Sequence, residues 1–377
     1  MPRRTMIGIM LLTTLLAGCG GGASAPAPDG DPDFTLAAQP SELNIAPARS
    51  GTTSIRITRP AQPGGVVNLK LEGPMAGGGA DRIGGAFGPQ QGGSSALTLT
   101  VGANVPAGTY PLTVHGTNGS VSKTTGVRVK VERWLLVDAD RSANNGAPQD
   151  ASRPLSALDA TMRAALSGKA FDVFVVKSGS ITTDVPAING PDAARLNRYS
   201  GVVWYTGNQW DQPPTQDDLR SMTAYLAGAD HKLVLQSAAF VQALDGTANV
   251  FQATDQDLDR NAAQKTFLRT QLGVQGYTFQ YRRDAPGVLP GPGSVMGDLG
   301  ALSLANPASV AAFKRLDDPK GQDLLTVGVG SGVQGAVAVS RTGLGSGGTS
   351  RAVYLGLSPD ELAGGDVPGL LGRLLRN

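Results

Sequence analysis

The sequence predicts a chain of two folded domains, a β-sandwich followed by a doubly wound α/β domain. Three observations carry that expectation. From Phe34 to Arg133 short runs alternate apolar with polar residues. From Trp134 onward the apolar runs no longer alternate, and helical patterns stand between them. The 377 residues also give room for two ordinary cores once a leader is set aside.

The chain opens with Arg3 and Arg4 before an apolar stretch from Met6 to Leu16. That stretch is too short to cross a bilayer, which takes about 20 apolar residues. It reads as a removed signal, the leader with its lipobox cysteine occupying residues 1–19 and the cut falling before Cys19. Leu16-Ala17-Gly18-Cys19 resembles the lipobox of bacterial lipoproteins, and the resemblance implies that Cys19 becomes the acylated first residue. A plain secretory signal with an incidental cysteine is the alternative. Gly20, where an Asp would favour retention, resembles outer-membrane-directed lipoproteins and implies a periplasmic or surface location in the cell envelope. Residues 20–33, rich in Gly, Ala and Pro without apolar period, read as a flexible tether.

The formal charge is +2 with Arg3 and Arg4 included, so the mature chain is near neutral. No stripe of Lys and Arg appears, which argues against a nucleic-acid partner. Cys19 is the single cysteine. No disulfide can form within the chain, and stability outside the cytoplasm must come from buried apolar cores.

In the sandwich, residues 34–133, Ile55 to Thr58, Leu97 to Val101 and Val127 to Val131 alternate like strands wet on one face. Met75 to Gly93 is glycine-rich and reads as a loop. Val105-Pro106-Ala107-Gly108-Thr109-Tyr110-Pro111-Leu112-Thr113-Val114 resembles a penultimate-strand signature of bacterial Ig-like repeats, implying an Ig-like sandwich with a structural role.

In the second domain, residues 134–377, Trp134 to Val137, Phe171 to Val176, Gly201 to Tyr205 and Lys232 to Leu235 read as parallel strands covered on both faces. Leu155 to Leu166 and Thr215 to Leu226 carry helical periodicity, and Thr215 with Asp218 makes a capping-box-like start. Asp259 to Leu272 reads as a further helix, Val337 to Ser340 and Ala352 to Leu357 as strands, and Val367 to Leu375 as a closing helix. Leu135-Leu136-Val137-Asp138-Ala139-Asp140, Tyr199 to Asn208, the helix from Thr215 to Gly228 and Arg351 to Leu357 together resemble class I glutamine amidotransferase-like domains. The resemblance is to non-catalytic, flavodoxin-like variants attached to secreted and cell-surface proteins, and it implies that fold more than an activity.

In open α/β sheets ligands sit beyond the carboxyl ends of the strands. That rule selects Asp138 and Asp140, then Thr206, Asn208 and Trp210, then Gln236 and Ser237, and finally Ser358, Asp360 and Glu361. Catalytic relatives need a cysteine on the turn where this chain has Gln236-Ser237. Ser237 lacks the flanking glycines of a nucleophile elbow. Its possible bases are His115, in the sandwich, and His231, at the start of the same strand roughly 20 Å away. Asp138 to Asn144 and Asp255 to Asn261 alternate oxygen-bearing side chains like the opening of a calcium loop, yet lack its sixth-position glycine and distal glutamate. Strand-end turns and helix caps explain them equally. With His and free Cys nearly absent, no transition metal is expected, and no cofactor. Trp204 and Tyr205 point to opposite faces of one strand and read as core, whereas Trp210 falls in a loop and suits a sugar or peptide, or a tuck under Pro213-Pro214.

These observations describe a lipid-anchored cell-envelope protein that binds or scaffolds without catalysis, with the membrane and an envelope glycan or protein as partners. The alternative is a hydrolase of envelope glycans or peptides acting through Asp138, Asp140 and Asp360.

Overall fold

A computed structural model of the chain describes residues 33–60, 65–140, 157–176, 189–207, 214–238, 240–241, 255–278, 287–294, 296–297, 299, 302–304, 312–329, 333–359, 362–363 and 367–376. Cys19, Asn208, Trp210, Asp360, Glu361 and the Pro213 turn lie outside them, as do the leader and residues 20–32 of the tether.

Eight strands build the first domain: β1 (Thr35–Gln39), β2 (Glu42–Asn44), β3 (Ser50–Thr58), β4 (Asn68–Glu72), β5 (Ile83–Phe87), β6 (Ser94–Val101), β7 (Gly108–Asn118) and β8 (Val121–Val131). They form two four-stranded sheets, β1-β3-β6-β5 and β2-β8-β7-β4. Every pairing is antiparallel except β2 with β8, which is parallel. The alternation has its expected cause, for Ile55, Leu97, Leu99, Val101, Val127, Val129 and Val131 all turn inward into one core. Part of the glycine-rich segment departs from the loop expectation. Residues 83–87 form the edge strand β5, with Ile83 fully buried. A Cβ at Gly85 would come within 2.6 Å of Leu71 Cδ2, so a larger residue there makes Leu71 shift. Here the glycine permits close sheet packing instead of marking a turn.

The second domain is a mixed sheet with helices on both faces. Its parallel part is β9 (Trp134–Asp138), β10 (Phe171–Val175), β11 (Gly201–Tyr205), β12 (Lys232–Gln236) and β19 (Ser350–Leu355), in the spatial order β10-β9-β11-β12-β19. Antiparallel strands extend it: β13 (Val274–Thr278), β14 (Val288–Pro290), β16 (Ala312–Arg315), β17 (Gly321–Val329) and β18 (Val333–Leu344). β15 (Ser303–Leu304) and β20 (Leu362–Ala363) pair apart from this sheet. Helices α1 (Ala157–Ala165) and α5 (Val367–Arg376) cover one face through Leu158, Met162, Leu370 and Leu374. The other face is covered by α2 (Ala193–Leu196), α3 (Gln216–Leu226) and α4 (Asp255–Thr270), through Leu196, Leu219, Met222, Phe267 and Leu268. Continuous apolar strands follow from this double cover: Leu135 and Val137 face α3, Trp134 and Leu136 face α1. The α3 start is a complete capping box, Asp218 N–H donating to Thr215 Oγ1 at 3.2 Å and Thr215 N–H to Asp218 Oδ2 at 3.0 Å.

Only Glu132 and Arg133 separate β8 from β9. Arg133 bridges the two domains, donating to the Ala103 carbonyl at 2.9 Å and pairing with Asp172 on β10 at 2.7 Å. The Ala107 amide adds a bond to the Arg198 carbonyl at 3.0 Å.

Candidate functional site

From β9 the chain crosses to β10 on one side, then returns to β11 on the other, so the strand order reverses at the carboxyl ends of β9 and β11. Such a reversal opens a crevice, because the following loops diverge. Asp138 ends β9 and Asp140 lies two residues beyond. The ladder continues past the strand ends, Ala139 N–H to Tyr205 O at 2.9 Å and Thr206 N–H to Gln236 O at 2.9 Å, so these residues stand on rigid backbone.

A third carboxylate completes the group. Asp159, in the first turn of α1, brings its oxygens to Asp138 and Asp140, with ligand atoms of all three within 4.8 Å of one another. The three are 2%, 5% and 3% exposed. Tyr205 crosses from β11 and donates its hydroxyl to Asp159 Oδ1. Burial first, then the charges of Asp140 and Asp159, push the Asp138 carboxyl up to about 8, against a lowering by Tyr205. Burial and the same carboxylates push the Tyr205 phenol up as well. At neutral pH the cluster therefore retains a proton on Asp138. A hard cation suits the same oxygens, since three carboxylates supply the ligand type of Ca²⁺ or Mg²⁺.

Asp138 and Asp140, both expected at this rim from the sequence, stand together in the structure. Asp159 carries no such signal in the sequence, since an acidic residue in an N-terminal helical turn reads as ordinary compensation of the helix dipole. Tyr205 and Trp204 do face opposite sides of the sheet as expected, and both are fully buried, but the Tyr205 hydroxyl also reaches the cluster. The other described rim residues serve as internal ties. Gln236 is fully buried; its Oε1 accepts from Gly207 N–H at 2.9 Å and its Nε2 donates to Leu357 O at 3.1 Å. Thr206 Oγ1 donates to Ser237 Oγ at 2.7 Å, and the Ser237 carbonyl accepts from Tyr354 at 2.8 Å. Ser358 is likewise fully buried. Gly207 takes φ +63°, and a Cβ there would crowd Leu158 at 3.1 Å. These bonds tie together the residues that directly follow β11, β12 and β19.

His231 directly precedes β12 and Ser237 directly follows it, so the two stand at opposite ends of one strand. The His231 ring stacks on Tyr225 at 4.2 Å, with Nδ1 2.5 Å from the Tyr225 carbonyl. His115 lies on β7, 3.3 Å from Ser122. Asp255 to Asn261 begins α4, with its side chains outside the described set.

No family model matches the chain, and no curated protein matches it in sequence. Among solved structures it is similar to domains 4 and 5 of the S-layer protein SbsC, at 14% identity and TM-score 0.21 over 26% of this chain and 53% of that one. It is also similar to the titin M3 domain, at 21% identity and TM-score 0.20 over 27% of this chain and 97% of that one. The chain thus spans about half the length of the S-layer fragment it matches.

Proposed function

We propose that this chain is a lipid-anchored cell-envelope protein that binds its ligand at the carboxyl ends of the parallel strands and does not catalyse a reaction. The observation that carries the site is the convergence of Asp138, Asp140 and Asp159 where the strand order reverses. The ligand chemistry that suits it is a hard divalent cation, alone or bridging to an envelope glycan or protein. Thr206, Gln236 and Ser237 hold the rim in shape; Asn208, Trp210 and Asp360, expected from the sequence as ligand contacts, lie outside the described residues. The order β10-β9-β11-β12-β19 supports a flavodoxin-like, amidotransferase-related reading of the domain. The paired four-stranded sheets support an Ig-like one for the sandwich. Against a serine hydrolase stands Ser237, fully buried and tied to Thr206 with His231 at the wrong end.

Calcium and magnesium titrated into the full chain test this reading by thermal unfolding. The midpoint should rise with cation in the native protein and stay fixed in Asp159→Asn. No rise with either ion would remove cation binding from the site. A second reading has one observation in its favour: Asp138, its carboxyl pushed up by burial, stands in one cluster with two further carboxyl groups, and a carboxyl raised in this way beside others is the kind of pair glycan hydrolysis uses. Hydrolysis of envelope glycans or peptides that is lost in Asp138→Asn would establish it instead.

A further inference from the structure

Asn189 and Gly190, just ahead of α2, lie against the first turn of α3. The Asn189 side chain is held at both ends, Nδ2 donating to Asp217 Oδ2 at 2.8 Å and Oδ1 accepting from the Thr215 hydroxyl at 2.9 Å. The Gly190 N–H donates to Asp218 Oδ1 at 2.7 Å. Thr215 and Asp218 are the two halves of the α3 capping box, and each is only 2% exposed. The cap and this anchorage are therefore one hydrogen-bonded unit, since Thr215 Oγ1 accepts the Asp218 amide while donating to Asn189, and Asp218 serves the Thr215 and Gly190 amides with its two oxygens. Gly190 also seats on the core. A Cβ there would come within 2.1 Å of the ring of Trp204, which is fully buried, so a larger residue makes that ring shift.

Packing thus places glycine after asparagine, the step at which a backbone nitrogen meets least obstruction in reaching the preceding side chain. The chemistry needs only water. The Gly190 nitrogen attacks Asn189 Cγ, a C–N bond forms, the bond from Cγ to Nδ2 breaks, and the proton given up by Gly190 leaves with Nδ2 as ammonia. Water then opens the cyclic imide to a carboxylate. In the folded protein each participant is occupied: the amide cannot turn without leaving Asp217 and Thr215, and the Gly190 proton is bound to Asp218. Helix ends are where local opening begins, so fraying of the α3 start frees all three at once. The product cannot return. Its new oxygen would face Asp217 Oδ2 where Nδ2 now donates, putting acceptor against acceptor and charge against charge.

We propose that Asn189–Gly190 is a deamidation site guarded by the cap of α3, and that its conversion is a one-way release of the segment ahead of α2 from that helix.

Peptide mapping by mass spectrometry, on the full-length protein incubated folded or in guanidinium chloride, tests the assignment. Asn189 should convert at least tenfold more slowly in the folded protein than in the unfolded one. Thr215→Ala, which removes the hydroxyl from both of its bonds, should raise the folded rate at least tenfold, and Thr215→Ser should stay within threefold of the native rate. Asn118–Gly119, at the turn between β7 and β8, serves as the internal reference and should convert equally in all the folded proteins. Asn189→Asp stands in for the product. Hydrogen exchange at its Gly190 amide should be at least tenfold faster than in the native protein, while the Thr206 amide, bonded to the Gln236 carbonyl, keeps its protection. Equal conversion of Asn189 in folded and unfolded protein, equal conversion in native and Thr215→Ala, or native protection of the Gly190 amide in Asn189→Asp would overturn the proposal.

Discussion

Asp138 is where a single residue carries the most consequence. Its carboxyl stays protonated in the folded protein up to about pH 8, whereas the unfolded chain releases that proton near 3.8. The folded state thus binds more protons between those values, and stability must fall as pH rises through that window, at up to about 1.4 kcal/mol per pH unit. Urea unfolding between pH 4.5 and 8.5 without divalent cation should show this decline, and Asp138→Asn should flatten it. A native profile that rises over the same range would contradict the assignment. The sequence showed Asp138 and Asp140 as strand-end carboxylates because they stand where an unbroken apolar run ends. It could not show Asp159, since contact between α1 and the end of β9 is tertiary. Nor could it show the tying roles of Gln236 and Ser237, because exposed and buried polar residues look alike in a string of letters.

At the level of elements, the legible parts were those with local signals. The alternating strands of the sandwich, the unbroken strands β9 to β12 and the Thr215 cap of α3 all declare themselves over a few residues. Thr215→Ala should cost about 0.5–2 kcal/mol, measured by denaturant unfolding, because the cap satisfies an otherwise orphaned amide. The strands β13 to β17 were not legible. Their pairings link residues such as Val288 with Val327 and Phe313 with Ala336, and a short antiparallel strand has no periodicity apart from its partner. β5 was hidden by its glycines. Gly85→Val should destabilise the sandwich by about 1–3 kcal/mol, since Leu71 occupies the space a side chain would need. An unchanged denaturation midpoint would mean that Leu71 moves aside freely.

For the whole molecule, a two-residue connection joins the domains, and Arg133 and the Ala107 amide make polar contacts across it. Arg133→Ala should speed hydrogen exchange at the Ala107 amide, which donates across the boundary, and leave the amide of Leu99 within the sandwich core unaffected. Equal protection at Ala107 in both proteins would show that the boundary holds without Arg133. The change in strand grammar at Trp134 coincides with the start of β9, whereas the contacts around that point depend on carbonyls meeting a guanidinium, which no local pattern announces. The parallel pairing of β2 with β8 acquires a further meaning when the chain is considered under load. A pull applied at Asp33 and Glu132 drags these two strands along their length in opposite directions, so the bonds from Arg128 N–H to Ser41 O and from Ile45 N–H to Lys130 O bear the force together in shear, instead of parting one after another.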